Sequence, residues 1–160
     1  MGCGAQNFEQ PIEPGAPRAA PPPVSVLAET HPLSGAARTW LAALERCVRT
    51  IDYGAARPLF APDVRAFGTY ANVVIGRDAL EREQWRVVWP TIREFQFRLA
   101  EVCCVGDETV LGVIVPWDSL GVNVDGTTFS RPGRATLLLV MRDARWVAIH
   151  SHFSLLPAAK

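Results

Sequence analysis

The apolar residues of this chain change their spacing near residue 91, and that change limits the folds open to it. Upstream they recur at intervals of three and four, as on a helix. Downstream they gather into four long runs, 91–104, 108–120, 127–141 and 145–155, rich in Val, Ile, Leu and aromatics. Short turns at Gly106-Asp107, Asp125-Gly126 and Asp143-Ala144 join these runs. Helices first and strands afterwards is the α+β pattern, with three N-terminal helices packed on one face of a strongly bent, mainly antiparallel sheet. Leu137-Leu138-Leu139-Val140 and Val113-Ile114-Val115 have no polar alternate. A sheet with one solvated face alternates, so both faces are expected to be covered, the outer one by a second copy in a homodimer.

Upstream, Trp40, Leu41, Leu44, Val48 and Ile51 have helical spacing, which predicts a helix over 35–52. Gly54 is expected to break it, and a short helix is expected near 55–60. Pro62-Asp63 turns the chain into a strand, Val64 to Phe67. Asp78 lies where a helix dipole favours an anion, in a helix opened by Gly76, striped by Leu80, Trp85, Val88 and Trp89, and ended by Pro90.

Residues 1–33 hold seven of the thirteen prolines and no apolar periodicity, which predicts a disordered Pro/Ala-rich leader. The folded domain is expected over 34–157, with a tail at 158–160. Sixteen basic residues balance sixteen acidic ones, so the basic excess of a nucleic-acid binder is missing. The start has no apolar h-region, and no apolar run is long enough to cross a membrane, so the expectation is a soluble, cytoplasmic protein. The four cysteines, Cys3, Cys47, Cys103 and Cys104, show no CxxC spacing and read as small hydrophobes. No metal or cofactor is expected.

Phe60-Ala61-Pro62-Asp63-Val64, Phe67-Gly68-Thr69 and Gly76-Arg77-Asp78-Ala79-Leu80 resemble the opening of SnoaL-like domains. Gly133-Arg134-Ala135-Thr136 and the stretch Arg142 to Ser154, with Trp146, His150 and His152, resemble their close. The ending is also similar to that of the calcium/calmodulin-dependent kinase association domain. The resemblance spans 34–157 and implies the cone of the nuclear transport factor 2-like, ketosteroid isomerase-like superfamily, in which helices and a bent sheet enclose a pocket. Members include isomerases, cyclases, dehydratases and epoxide hydrolases, and others only bind ligands or dimerise, so the fold leaves activity open. Ketosteroid isomerase carries a proton-shuttling Asp where this chain has Gly68, and a Tyr donor where its first helix has Trp40 and Leu44. Steroid-type isomerisation is therefore not expected. By the same resemblance Trp117, Leu137 and Phe153 stand where the kinase domain lines its cavity with arginines, which argues against an anionic ligand at the cavity floor and implies a hydrophobic or aromatic one. Trp85, Trp89 and Tyr53 are added as candidate ligand contacts.

Three polar residues are candidates for catalysis. Alternation puts His150 and His152 on one face with Trp146 and Ser154, opposite Val147, Ile149 and Phe153. If the latter face the pocket, the histidines reach the dimer contact. If the faces are inverted, the imidazoles enter the cavity, where titration near neutral pH suits acid–base work. Asp118 points away from the pocket when Trp117 faces it, as a sheet-edge carboxylate, and otherwise is a candidate acid. Arg131 and Arg134 flank Gly133 and read as a solvated rim, with a cavity mouth as the alternative. An epoxide-opening reading would need Arg134 and Asp118 to converge on a water. Two functions follow. One is a small apolar or aromatic molecule bound in the cone, with cyclisation, isomerisation or dehydration by proton transfer. The other is a non-catalytic homodimerisation or ligand-sensing module.

Overall fold

The computed structural model describes residues 25–69 and 72–157. The proline run at 21–23, Cys3, most of the leader and the 158–160 tail lie outside the described residues. Residues 25–31, read with the leader, lie against the domain. Val26 bridges Val105, the Leu27 amide donates to the Cys104 carbonyl at 2.8 Å, and the Ser34 hydroxyl donates to the Ala28 carbonyl at 2.9 Å.

Helix α1 spans Pro32–Thr50. Pro32 sits in its first turn, where a missing N–H costs nothing, and the His31 ring caps the Leu33 amide. Ala37, Trp40, Leu41, Leu44, Cys47 and Val48 form its buried stripe. Truncating Leu41, which has no exposed surface, would cost about 2–5 kcal/mol. The helix ends before Gly54, because Ile51 adopts the left-handed conformation (φ 54°). Asp52 then caps a single turn, α2 (Tyr53–Ala56), continued by a 3-10 turn at Arg57–Leu59. The third helix is a composite of an α turn, α3 (Arg77–Leu80), a π-helical turn (Glu81–Trp85) and another α turn, α4 (Arg86–Val88). It follows two strands, β1 (Phe60–Phe67) and β2 (Val73–Ile75), so only α1 and α2 precede the sheet.

The remaining strands are β3 (Ile92–Phe97), β4 (Cys103–Gly106), β5 (Val110–Val122), β6 (Thr128–Ser130), β7 (Gly133–Arg142) and β8 (Arg145–Leu155). The sheet runs β2-β1-β8-β7-β5-β3, with β4 and β6 also on β5. All pairs are antiparallel except β1 with β8.

Two of the expected runs are broken strands. The stretch 91–104 divides into β3 and β4 around a 3-10 turn at Leu99–Glu101, and both pieces pair with β5. The stretch 127–141 divides into β6 and β7 at Arg131-Pro132, where Pro132 has no amide for the ladder. There the Arg131 amide donates to the Ser119 carbonyl and the Ser119 hydroxyl to the Arg131 carbonyl, so the kink stays attached to β5. Breaks on both sides of one thirteen-residue strand let the sheet curl. Its concave face carries Leu111, Val113, Val115, Trp117, Leu137 and Leu139, all buried beneath the helices. Its outer face is half-covered in the single chain, with Ile114, Val110 and Phe67 exposed.

Candidate functional site

A cavity of about 70 Å³ lies between the concave face and the helices. Since a water needs roughly 10–15 Å³ of such space, several waters or a small ring fit. The composite helix forms one wall. Its π turn inserts an extra residue, and Gln84 and Trp85 are both buried there. Trp85 and Trp89 stack with centroids 5.1 Å apart, and Phe60 tilts against Trp85 at 5.0 Å. Phe95 of β3 and Phe153 of β8 approach Trp117 of β5 at 5.5 and 6.4 Å, forming the opposite wall. Leu44 and Val48 of α1 close the side.

The polar part of the lining is small. Arg131, 6% exposed, holds its guanidinium 5.5 Å from the Trp117 ring and donates to the Thr69 hydroxyl at 3.1 Å. Ser151 is buried in the lining. The buried side-chain nitrogens of Gln84 and Trp117 have no hydrogen-bond partner among the described residues. Glu83 is half-exposed and bound to Arg82. Among the described residues, Glu83 is the one carboxylate in the lining.

Gly68 also lines the cavity. A Cβ there would stand 2.3 Å from the Gln84 side-chain nitrogen. The Gln84 amide thus fills the place an Asp side chain at 68 would need, which agrees with the missing base.

The candidate catalytic residues all lie on the other side of the sheet. Register places His150 beside Arg65 and Leu138, and His152 beside Phe67 and Thr136. Nδ1 of His150 is 3.0 Å from the Arg65 carbonyl, and both imidazoles meet the Phe67 ring edge-on. Asp118 pairs with Arg98 through two contacts of 2.8 Å. Hydrogen bonding from that guanidinium holds the Asp118 carboxyl below the usual carboxylate range. Arg134 reaches Ser154 at 3.3 Å on the same outer face, so it does not meet Asp118 around a pocket water.

A bulge at Ile149 changes the expected alternation. Leu138 pairs with His150 and Leu139 with Ala148, so Ala148, and not Val147, faces buried Leu139. Trp146, expected beside the histidines, packs against the core instead.

Of the candidate ligand contacts, Trp85, Trp89, Trp117 and Phe153 line the cavity. Leu137 is fully buried in the core, outside the lining, and Tyr53 lies behind the wall, stacked on Trp89 at 5.3 Å beneath Arg86. Sequence reasoning passed over Gln84, Ser151 and Phe95, and read Arg131 as rim. Gln84 had a signal. It falls between Leu80 and Val88 at four-residue steps, a polar side chain on the apolar stripe. Arg131 had none, since its burial follows from the kink before Pro132.

A family model described as a SnoaL-like domain matches residues 37–159. No curated protein matches the chain. Among solved structures, a nuclear transport factor 2-like superfamily protein from Salmonella enterica superposes with TM-score 0.69 at 12% identity, covering 80% of this chain and 94% of its own. A ketosteroid isomerase-like protein from Erwinia carotovora atroseptica gives 0.66 at 15%, covering 79% and 98%. An uncharacterized protein with a cystatin-like fold from Caulobacter vibrioides gives 0.65 at 18%, covering 78% and 90%. At these identities the likeness establishes the fold alone.

Proposed function

Because this chain belongs to the SnoaL-like domain family, whose fold is a cone, we propose that its cavity binds a small apolar or aromatic molecule and acts as a ligand-binding or ligand-sensing module. The observation that carries this reading is the wall itself: stacked Trp85 and Trp89 face Trp117, Phe95 and Phe153 across an open space. Rings prefer offset-stacked or edge-on neighbours, and each such contact is worth about 0.5–1.5 kcal/mol beyond area burial. The non-catalytic reading is favoured over proton transfer because His150, His152 and Asp118 stand across the sheet from the ligand space. An acid–base step needs its group within hydrogen-bond reach of the substrate.

The test is titration of the ¹⁵N-labelled protein with toluene and with p-cresol, followed through the indole N–H signals of Trp85, Trp89 and Trp117. Saturable shifts in these three, lost in Trp85→Ala, are expected. No shift with either compound would overturn the reading.

We also propose a homodimer through the outer sheet face. Ile114, Val110 and Phe67, between 40% and 48% exposed, continue the half-buried patch around Leu138 and Val140. Light scattering on Ile114→Lys would then show a monomer where the parent is a dimer; a parent that is monomeric at all concentrations refutes this.

A further inference from the structure

We infer that the molecule taken by this cavity is a neutral aromatic amide, a carboxamide or lactam on a single ring, held by the Gln84 carboxamide and the Trp117 indole N–H. This rests on the ligand-binding reading above and names the chemical class of the ligand.

Two side chains of the wall have hydrogen bonds left to make. Gln84 is 9% exposed, and its side-chain nitrogen has no partner among the described residues. Trp117 is 1% exposed, and its indole N–H is likewise unpaired. The unpaired indole nitrogen of Trp40 belongs to a side chain off the lining, out of a ligand's reach. A hydrogen bond left unmade at a buried group costs about tenfold in an equilibrium constant, so a ligand that makes it gains. Both groups stand at one end of the cavity. The Gln84 amide lies against Gly68, where a Cβ would be 2.3 Å from its nitrogen, and Arg131 joins the next residue, Thr69, to the Trp117 ring. The stacked Trp85 and Trp89, with Phe95 and Phe153, supply apolar surface for the body of the molecule.

The pattern of these groups selects the head of the ligand. Trp117 donates and cannot accept, so it needs an acceptor. Gln84 carries donors and a carbonyl side by side, and neither end is bonded to a described residue. A half-turn of the carboxamide exchanges its ends, and it still calls for an acceptor next to a donor. An amide supplies both from one planar group, its carbonyl taking the N–H donors and its own N–H meeting the Gln84 oxygen. A ketone supplies only the acceptor, and a hydrocarbon neither. Charge is not called for. Arg131 donates to Thr69, lies over Trp117 and has a further interaction besides, and Glu83 is bound to Arg82. A carboxylate or ammonium head would enter this aromatic space with every neighbouring charge already engaged, and an unpaired buried charge is far more costly than a neutral head.

Benzamide, acetophenone, α-methylstyrene and benzoate share one ring and a head of nearly one shape, and isothermal titration of the full chain at pH 7 ranks them. Benzamide is expected to bind about tenfold or more tightly than α-methylstyrene, and more tightly than acetophenone or benzoate. Gln84→Met keeps the length of the side chain and loses both hydrogen-bonding ends, so it should bring benzamide within about threefold of α-methylstyrene. Trp117→Phe should weaken benzamide while keeping a ring in the wall. Because Gln84→Met can disturb the π turn, the Gln84 side-chain amide and Trp117 indole signals are also followed by NMR in the parent protein, where downfield shifts with benzamide and not with α-methylstyrene are expected. If benzamide does not exceed α-methylstyrene, if acetophenone or benzoate matches it, or if its preference survives Gln84→Met in a folded protein, the inference is wrong. If apolar rings bind while benzamide does not, the ligand-binding reading stands and the amide is excluded. If no aromatic compound binds, both fall.

Discussion

Gly133 lies directly beneath Trp117, and replacing it by Ala is the sharpest test of how the cavity wall is built. A Cβ at 133 would be 2.1 Å from Cζ2 of the indole, 2.4 Å from Cε2 and 2.5 Å from the Ser154 carbonyl oxygen. Carbon atoms in contact sit about 3.5–4.0 Å apart, so the ring must retreat by more than about 1 Å. The carbonyl belongs to the β7–β8 ladder and cannot retreat without loosening it. The ring is hemmed in by Phe95, Phe153 and Arg131, and the direction left to it is into the cavity. Overpacking of this kind costs about 1–3 kcal/mol, and two simultaneous clashes place Gly133→Ala near the upper end, about 3 kcal/mol. For a domain of this size that lowers Tm by roughly 10 °C. Urea unfolding followed by circular dichroism measures the loss, and a double-mutant cycle with Trp117→Leu assigns it. With the indole gone, the two nearest clashes are removed and that with the Ser154 carbonyl remains, so the pair should couple by about 1 kcal/mol or more. A Gly133→Ala protein within 0.5 kcal/mol of the parent, or strictly additive mutations, would refute this packing.

Three further outcomes are expected. His150→Gln and His152→Gln should leave aromatic ligand affinity within about twofold, since uncoupled sites behave additively; a loss beyond tenfold, by calorimetry, would put an imidazole in the cavity. Asp118→Asn should destabilise the fold at pH 7 by no more than about 1 kcal/mol, because the pair is partly exposed and screened. The folded-state pKa of Asp118 is depressed, so its contribution is present above the unfolded value of about 3.9 and is lost as pH falls through the folded value. Urea curves for parent and variant should therefore converge toward pH 2, and a constant gap contradicts the linkage. Gly68→Ala should cost little stability, because the atom it meets ends a flexible side chain. It should shift the Gln84 side-chain amide signals and weaken ligand binding, and an unshifted amide would contradict the contact.

The architecture was legible because its determinants are local. The stripe from Trp40 to Val48 forms α1, β8 coincides with its expected run, and β5 and β7 start within theirs and end at Val122 and Arg142, just past the expected 120 and 141. What failed was wherever one residue more or less changes a face. The extra residue at Ile149 follows from the pairing of β8 with two strands at once, which no window of β8 displays. The π turn at Glu81–Trp85 moved Gln84 into the wall for a similar reason, since the register of a helix against a sheet is a tertiary property. Trp85, Trp89, Trp117 and Phe153 were found because large aromatics on an inward face are rarely elsewhere. The outward direction of His150 and His152 was one of two readings, and the pairing with Arg65 and Phe67 on one side and Leu138 and Thr136 on the other separates them.

The parallel pairing of β1 with β8 has a consequence for how the chain folds. Phe60 meets Ala148 and Phe67 meets His152, so β1 must wait for β8, by way of loop closure over more than half the chain. Long-range pairing of this kind slows folding, because the closure entropy is spent before the contacts reward it. On the ribosome, β1 emerges early with β2 as its one nearby partner and the other edge open. That edge carries Arg65 between Val64 and Ala66, a charge that discourages a neighbouring nascent chain from docking there first.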